Sequence, residues 1–243
     1  MCFRNRQIGK KTGMTQEKTP TLRQTPQGLI LEDGELQLHC DFTEMAHRIQ
    51  KDNLQRELLV RAAKRQDFGK EALALDATAG LGEDSFLLAA AGFRVHLYEY
   101  NPLIAALLRD GLARGKEEPK IAEIVGRMEL TEGDSIKAMQ DMAEKEIRPD
   151  LILLDPMFPK RATSGISKKK LQLFKQLEKP CDAEKEMLEA AFALHPYKII
   201  VKRPIKGPYL GERKPGYSIE GKVIRYDCLV LPKQKEETSG SPL

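Results

Sequence analysis

Hydrophobic and polar positions alternate in blocks along most of the chain, and these blocks have the lengths of strands and helices. Five short segments predict strands, at residues 72–76, 93–99, 127–134, 150–155 and 197–204. The fourth of them is nearly all apolar, as a strand buried on both faces should be. Segments with helical periodicity accompany them at residues 84–92, 101–115, 135–146, 167–178 and 183–194. Repeated strand–helix units predict an α/β fold with a mainly parallel sheet and helices on both of its faces.

The N-terminal quarter of the chain departs from this alternation. Residues 1–27 are polar and without periodicity, which predicts a loose arm. Two apolar runs then flank Asp33-Gly34, a pair that favours the turn of a β-hairpin. Residues 43–66 are rich in helix-forming residues and predict one helix. We therefore expect a small hairpin and helix extension over residues 1–66.

The C-terminal segment also differs from the strand–helix units. Residues 218–231 contain two apolar runs that meet at Glu220-Gly221, which predicts a C-terminal antiparallel hairpin beside the parallel strands. The segment from Pro232 onward is polar and is expected to be frayed. Together with the repeated units, this hairpin completes a single domain that we expect over residues 67–243.

Composition narrows the class of protein. The 243 residues are 41% hydrophobic and carry a net charge of +4, which is ordinary for a soluble chain with a buried core. No apolar run approaches the roughly 20 residues that span a bilayer. The four cysteines are scattered without a C-x-x-C pair, and the histidines are isolated. We therefore expect a cytoplasmic protein with no membrane segment and no metal site.

The small net charge conceals an asymmetry between the two parts of the chain. Residues 1–155 hold 22 basic and 26 acidic side chains, a balance of −4, whereas residues 156–243 hold 18 and 10, a balance of +8. A basic C-terminal part suggests a polyanionic partner, although a solvated, lysine-rich surface explains the same count.

A glycine-containing turn follows the first predicted strand of the sheet. Gly80 and Gly82 would let the backbone bend tightly and approach a ligand. Because Asp76, Glu83 and Asp84 surround this turn, a second anion such as a pyrophosphate would be repelled there. S-adenosylmethionine, which carries a sulfonium and an ammonium, suits the turn better than NAD does. The acids could instead simply favour the dipole of the following helix.

Two more acidic residues end the next predicted strands. Glu99 lies 23 residues after Asp76, where an acid can accept hydrogen bonds from ribose hydroxyls. Asp134 could accept from an adenine amine, or cap the next helix, or do both. These ends should lie at one edge of the sheet, where ligands of such folds bind.

The sharpest signal is the sequence DPMFP, which directly follows the apolar run ending at residue 154. A carboxylate at Asp155 is costly there without a partner. Pro156 lacks an N–H, and its rigid ring leaves its carbonyl in a fixed direction. The Asp155 carboxylate and this carbonyl would form two acceptors for an exocyclic amine, and Phe158 offers a face for base stacking. The alternative is a proline-rich turn with a buried Phe158.

Basic residues cluster after the fourth and fifth strands of the predicted sheet. They are Lys160, Arg161, Lys168, Lys169, Lys170, Lys202, Arg203 and Lys206. If both strand ends border one crevice, these side chains could bind phosphates beside Asp155. Lys168 to Lys170 could equally be a solvated helix start, and His47-Arg48 could be exposed or functional.

The motifs together resemble class I S-adenosylmethionine-dependent methyltransferases. Residues 76–82 are similar to their first glycine motif, and residues 155–158 to their amino-methylating motif, with Met157 in place of the second proline. More closely, the chain resembles the RsmJ family of bacterial small-subunit rRNA guanine-N2 methyltransferases. The matching stretches are residues 45–48, 76–84, 101–115, 154–160 and 201–204, within a resemblance from about residue 26 to residue 231.

The resemblance implies a Rossmann-like fold and a role for each candidate residue. It implies cofactor contacts at Asp76, Gly80, Gly82, Glu83, Asp84, Glu99, Tyr100, Asp134, Ser135 and Asp155. Of these, Glu83 and Asp84 would contact the methionine end of the cofactor. The ribose and adenine would be held by Glu99 and Tyr100, and the adenine would be bordered by Asp134 and Ser135. Asp155 would lie between the cofactor and the target base. The implied catalytic residues are Asp155, Pro156 and Phe158. The implied RNA contacts are His47, Arg48, Lys160, Arg161, Lys202 and Arg203.

The resulting interpretation is an enzyme that transfers a methyl group from S-adenosylmethionine to the exocyclic N2 of a guanosine in small-subunit (16S) rRNA. Its partner would be this rRNA or the small ribosomal subunit. A DNA amino-methyltransferase acting on adenine or cytosine is the alternative, because the same motif serves those bases. A non-catalytic RNA-binding module would leave residues 155–158 without a purpose, and Glu83 and Asp84 argue against an NAD-dependent dehydrogenase.

Overall fold

The apolar runs form the strands of one large sheet. The computed structural model describes residues 20–34, 36–64, 72–156 and 183–232. Within these ranges the large sheet has seven strands, which are numbered along the chain. In spatial order they are β6 (Met128–Glu132), β5 (Arg94–Glu99), β4 (Leu73–Asp76), β7 (Leu151–Leu154), β8 (Lys198–Pro204), β10 (Ile224–Val230) and β9 (Tyr217–Glu220).

Strands β6, β5, β4, β7 and β8 pair in parallel, and β10 runs antiparallel to both β8 and β9. The predicted α/β fold, its mainly parallel sheet and its C-terminal hairpin are therefore confirmed. Parallel pairing brings the carboxyl ends of β4, β5, β7 and β8 to one edge of the sheet, which is where ligands of such folds bind.

Helices cover both faces of this sheet. They are α3 (Glu83–Ala90), α4 (Pro102–Glu117), α5 (Ala122–Val125), α6 (Ser135–Glu144) and α7 (Glu184–Ala193). One apolar cluster contains Phe86 of α3 and Leu108 of α4, and the other contains Met139 of α6 and Leu188 of α7. Successive residues of β7 alternate between the two clusters, as a strand buried on both faces must.

A small antiparallel sheet precedes the large one, with strands β1 (Thr21–Thr25), β2 (Gly28–Asp33) and β3 (Leu36–His39). The predicted hairpin around Asp33-Gly34 is confirmed. The predicted loose arm is wrong for β1, which pairs with β2 along its whole length. The side chains of β1 are mostly exposed and all polar except Leu22, so no alternating apolar pattern indicates this strand. Residues 1–19 lie outside the described ranges.

The single helix predicted over residues 43–66 is wrong. The segment instead forms a 3₁₀ helix at Phe42–Met45 and two short helices, α1 (Lys51–Leu54) and α2 (Leu58–Ala63). Gln50 and Glu57, which precede α1 and α2, have extended ψ angles of 138° and 129° that interrupt the helical path. The predicted domain boundary falls within residues 65–71, outside the described ranges.

The N-terminal elements pack on α4 and share its core. The Leu29 N–H donates to an Asp110 carboxylate oxygen over 3.0 Å, and Arg114 donates to the same oxygen over 2.8 Å. Buried Leu31 and Leu38 belong to the apolar cluster of α3 and α4. Within the described ranges, no helix combines the length and apolar character needed to cross a membrane.

Candidate active site

The turn after β4 depends on two glycines. Gly80 and Gly82 have φ angles of +55° and +76°, in the left-handed region that favours glycine. A Cβ atom on Gly82 would lie 2.8 Å from Leu108 Cδ1, so this turn also packs tightly against α4. The chain reverses here into α3, whose first residues are Glu83 and Asp84. Glu83 is exposed and Asp84 is partly buried.

The buried side chain of Asp76 holds this turn in place through two hydrogen bonds. Its side chain accepts hydrogen bonds from the Ser85 hydroxyl over 2.6 Å and from the Thr78 N–H over 3.1 Å. Burial raises the pKa of Asp76 to about 7, although both hydrogen bonds oppose the rise. Only 2% of the residue is exposed, and its carboxylate supports the turn. The expected direct contact between Asp76 and the cofactor stays a prediction.

Replacing Asp76 with Asn tests this buried carboxyl through its effect on stability. The folded pKa of about 7 lies above the usual value near 4, so the native state binds the proton more tightly than the unfolded chain does. The wild-type protein should therefore lose stability as the pH rises from about 4 to about 7, and Asp76→Asn should lack this loss. Between about pH 5 and pH 8, urea unfolding should show a relative gain of about 2 kcal/mol for the variant. If the free energies of unfolding of the variant and the wild type differ by the same amount at both pH values, the raised pKa of Asp76 is contradicted.

Glu99 links the glycine turn to the end of β5. Its carboxylate accepts from the Gly80 N–H and the Asn101 N–H, each over 2.8 Å, and its pKa is raised by burial. The Gly133 N–H donates to the Glu99 carbonyl over 2.9 Å, which brings the turn before α6 to the same place. Tyr100, the next residue, is 77% exposed and leaves an aromatic ring open to a ligand.

Asp134 is the N-terminal cap of α6. Its carboxylate accepts from the N–H groups of Ile136 and Lys137 over 2.9 and 3.4 Å. The capping interpretation of Asp134 is therefore confirmed, and a contact with adenine stays a prediction. Ser135, the first residue of α6, is buried.

A charged cluster lies at the ends of β7 and β8. Lys202 Nζ is 2.6 Å from Asp84 Oδ2 and 3.0 Å from Asp155 Oδ2, so one ammonium joins two carboxylates. The Tyr226 hydroxyl donates to the other Asp84 oxygen over 3.4 Å. The Asp155 N–H donates to the Thr78 hydroxyl oxygen over 2.7 Å, which ties the end of β7 to the glycine turn. The candidate cofactor and amine sites are thus in direct contact.

The environment of Asp155 leaves it open to a ligand. Its side chain keeps 40% of its surface exposed, compared with 19% for Lys202 and 17% for Asp84. Loss of solvation raises the pKa of Asp155 above its ordinary value, and the Lys202 ammonium opposes that rise. Pro156 is buried directly after it. Phe158, Lys160 and Arg161 lie outside the described ranges.

Two of the predicted RNA contacts, Lys202 and Arg203, have charges that are already engaged inside the protein. Lys202 is held by the two carboxylates, so it is not a free phosphate contact. Arg203 has a fully buried side chain, and its guanidinium donates to Glu184 and to the Pro208 carbonyl. Arg48 remains partly exposed in a bidentate pair with Glu57, and His47 is exposed.

Two exposed lysines, Lys206 and Lys222, lie at the surface where Lys202 and Arg203 were expected. The loop after β8, which carries Lys206, is held in place by buried Arg225, which donates to the carbonyls of Pro204, Ile205 and Gly207. The Ile205 N–H donates to the Val223 carbonyl over 2.9 Å. This bond places Lys206 and Lys222, both exposed, on adjacent turns at the carboxyl edge of the sheet.

Sequence reasoning missed three supporting residues of the site: Thr78, Ser85 and Tyr226. Thr78 and Ser85 are hydroxyl residues inside apolar segments, which is a weak signal for an internal hydrogen bond. Tyr226 has no such signal, since it lies 142 residues from Asp84 along the chain and meets it only through the position of β10.

The chemistry of the site suits S-adenosylmethionine. The turn offers a close backbone approach at two left-handed glycines, and Glu83 and Asp84 at its end provide negative charge for a cationic ligand. Glu99 and exposed Tyr100 follow at the neighbouring strand end, where ribose and adenine are bound in such folds. Within the described ranges, no group of three or more His, Cys, Asp or Glu residues has a metal-binding arrangement.

Comparison with known proteins identifies the family. The SAM_MT family model, which describes SAM-dependent methyltransferases, matches residues 7–231. Ribosomal RNA small subunit methyltransferase J of Pseudomonas savastanoi pv. phaseolicola is 40% identical over 230 residues, which cover 90% of this chain and 84% of that protein. The protein of the same name from Stutzerimonas stutzeri is 42% identical over 200 residues, covering 82% and 76%.

A solved structure extends the agreement to the fold. The SAM-dependent methyltransferase of Neisseria gonorrhoeae superposes with a TM-score of 0.65 at 27% sequence identity, and the match covers 84% of this chain and 79% of that one. Motifs, fold and relatives lead to one conclusion: the chain belongs to the S-adenosylmethionine-dependent methyltransferase family that includes Ribosomal RNA small subunit methyltransferase J.

Proposed function

We propose that the protein methylates the exocyclic N2 of a guanosine in small-subunit (16S) rRNA. The observation that carries this proposal is the position of Asp155, an open carboxylate whose own N–H is bonded to the cofactor turn at Thr78. The names of the relatives support small-subunit rRNA as the substrate. A substrate in the ribosome also implies a cytoplasmic protein.

Cofactor binding is assigned to the turn and strand ends at one edge of the sheet. The residues are Gly80, Gly82, Glu83, Asp84, Glu99, Tyr100, Asp134, Ser135 and Asp155, with Asp76 supporting the turn. When bound, S-adenosylmethionine supplies a methyl group on a positively charged sulfur, which keeps the electron pair of the broken bond. Glu83 and Asp84 stabilise the positive end of the ligand, and the Glu99 oxygens accept from ribose hydroxyls.

The target amine is oriented by the residues after β7. The Asp155 carboxylate and the Pro156 carbonyl accept the two hydrogens of N2, which aims the nitrogen lone pair at the methyl group. The lone pair forms the new N–C bond, and N2 then releases one proton to solvent. Such a step needs positioning more than a strong base. Stacking of the guanine on Phe158 is part of this proposal.

The RNA backbone is assigned to the exposed cations around this edge. Lys206 and Lys222 take the place first given to Lys202 and Arg203, and His47 and Arg48 border the site on the N-terminal side. Lys160 and Arg161, which follow the proposed catalytic motif in sequence and lie outside the described ranges, are kept as RNA contacts from the sequence alone. We retain residues 1–66 as an extension and residues 67–243 as the methyltransferase domain within this proposal.

Replacing Lys206 and Lys222 together with Gln should weaken rRNA binding without altering cofactor binding. Each phosphate contact that is lost should reduce the slope of log affinity against log salt by about 1. Filter binding of small-subunit rRNA over a salt series measures this slope. Lys116→Gln removes an exposed cation at the far end of α4 and serves as the control. An unchanged slope in the double variant would remove these lysines from the interface.

Labelled S-adenosylmethionine tests the function itself. The protein is incubated with unmethylated small ribosomal subunits, with naked 16S rRNA and with DNA, and the labelled product is digested to nucleosides. We expect N2-methylguanosine from one of the RNA substrates. Label confined to DNA would instead identify the DNA amino-methyltransferase, and no label in any substrate would favour the RNA-binding module.

A further inference from the structure

Lys202 joins two carboxylates that come from different parts of the fold. Asp84 belongs to the first turn of α3, and Asp155 follows β7, yet their Oδ2 atoms lie 2.6 and 3.0 Å from the same Nζ. Lys202 and Asp84 have limited access to water, so their interaction is weakly screened, whereas the Asp155 side chain remains 40% exposed. Lys202 is therefore bound within the site and directly contacts the carboxylate assigned to the target amine.

We infer that Lys202 is a positioning residue, which keeps the Asp155 carboxylate ionised and fixed in direction so that it can accept the hydrogens of the target amine. The inference rests on the proposed function, in which Asp155 is that acceptor. It assigns to Lys202 a role in methyl transfer that differs from the phosphate contact expected from its sequence position.

The chemistry explains why Asp155 needs such a partner. Two carboxylates that share one site cannot both ionise freely, and the usual result is that one of them retains a proton. A protonated Asp155 would present an O–H donor where the amine requires an acceptor. Burial lowers the pKa of Lys202, but Asp155 and Asp84 together hold it well above its ordinary value, so the ammonium stays charged between them.

Other charged and titratable groups face this cluster from every side. They are Asp76 at the end of β4, Glu83 and Asp84 at the start of α3, Arg48 before α1, Arg203 in β8 and Tyr226 in β10. Tyr226 donates to Asp84 and Arg203 is occupied by Glu184, whereas Lys202 is within ion-pair distance of Asp155 itself. Lys202 is thus the cation placed to act on Asp155.

The test measures the protonation of Asp155 directly. In the cofactor-free protein, ¹³C NMR follows the Asp155 carboxyl during a pH titration, and Asp155→Asn identifies its signal. Lys202→Met should raise the pKa of Asp155 by about one to three units, and the acidic limb of the kcat–pH profile should move upward by a similar amount. Lys202→Arg should keep both close to wild type.

A second buried lysine of the same strand supplies the matched control. Lys198 is 2% exposed, and its Nζ donates to the carbonyls of Ala62 and Lys64 over 2.7 and 3.3 Å. Lys198→Met should lower the melting temperature but leave the Asp155 pKa unchanged. If the role of Lys202 were purely structural, Lys202→Met would behave like Lys198→Met: the melting temperature would fall and the Asp155 pKa would not change.

Asp84→Asn gives an independent result of opposite sign. Removing this second carboxylate should lower the pKa of Asp155, because it removes a like charge and leaves the ammonium to Asp155 alone. The result also decides the matter if Lys202→Met fails to fold. An Asp155 pKa that stays at its wild-type value in Asp84→Asn, or in a folded Lys202→Met, would overturn the inference.

These outcomes are separable from failure of the proposed function. If Asp155→Ala keeps normal turnover, the proposed role of Asp155 fails, whatever the titrations show. If Asp155→Ala is inactive while the Asp155 pKa is the same in wild type and Lys202→Met, only the role of Lys202 fails.

Discussion

Asp155→Ala should lower the rate of methyl transfer to the small subunit by about a hundredfold to a thousandfold. This is the usual cost of removing a hydrogen-bonding group that acts on the reacting atoms. The variant loses the acceptor that orients N2, so the lone pair is no longer held toward the methyl group. Cofactor affinity should fall much less, because the glycine turn, Glu83, Asp84 and Glu99 remain. Single-turnover kinetics with saturating cofactor measures the loss.

A comparison of turnover with cofactor affinity distinguishes a loss of catalysis from a loss of folding. Calorimetry with S-adenosylhomocysteine measures cofactor binding in the same variant, and Asp141→Ala removes an exposed carboxylate of α6 as a control. Near-normal turnover of Asp155→Ala would exclude the proposed mechanism. An equal loss of turnover and of cofactor affinity would place Asp155 in the cofactor site alone.

Gly82→Ala should destabilise the protein by about 2–5 kcal/mol and abolish measurable cofactor binding. The left-handed φ of +76° costs an alanine about 1–2 kcal/mol, and the clash of its Cβ with Leu108 at 2.8 Å adds a packing cost of about 1–3 kcal/mol. Relief of the clash must move the turn or α4, and the turn carries the amides and acids that we assign to the cofactor. Urea unfolding and calorimetry measure the two effects.

Gly34→Ala separates backbone strain from crowding. Gly34 has a similar φ of +60°, but nothing lies within 4 Å of the position that its Cβ would take. We expect Gly34→Ala to lower the free energy of unfolding only by the cost of the left-handed φ, about 1–2 kcal/mol, and to bind cofactor normally. Equal destabilisation of the two variants would show that the contact with Leu108 has no energetic weight.

Strands β4, β7 and β8 at the centre of the large sheet were predictable because burial on both faces leaves a direct mark on sequence. The run at β7 is entirely apolar up to Leu154, so the acid that follows at Asp155 stands out as a ligand group. Asn101 and Pro102 likewise mark the start of α4, where the Asn101 side chain accepts from the N–H groups of Leu103 and Ile104. Local chemistry therefore located the sheet and the edge at which ligands bind.

The features that were predicted wrongly depend on contacts between distant segments. Strand β1 is held by backbone pairing to β2, and with Leu22 as its one apolar side chain it shows no apolar alternation. Lys202 and Arg203 are adjacent in sequence and equally basic, yet one meets Asp155 and the other is buried against Glu184. Which partner a cation finds depends on the strand order and on side-chain direction, and neither can be read from charge alone.

The position of β10 has a consequence for synthesis on the ribosome. Among the described elements, β10 is made last, yet it lies between β8 and β9 in the sheet. Until residues 224–230 emerge, β8 is an open edge, β9 has no neighbour in the sheet and Asp84 lacks Tyr226. A nascent chain therefore holds the glycine turn and Asp155 well before it holds a finished site, and the site is complete only once the last of the described strands has been made.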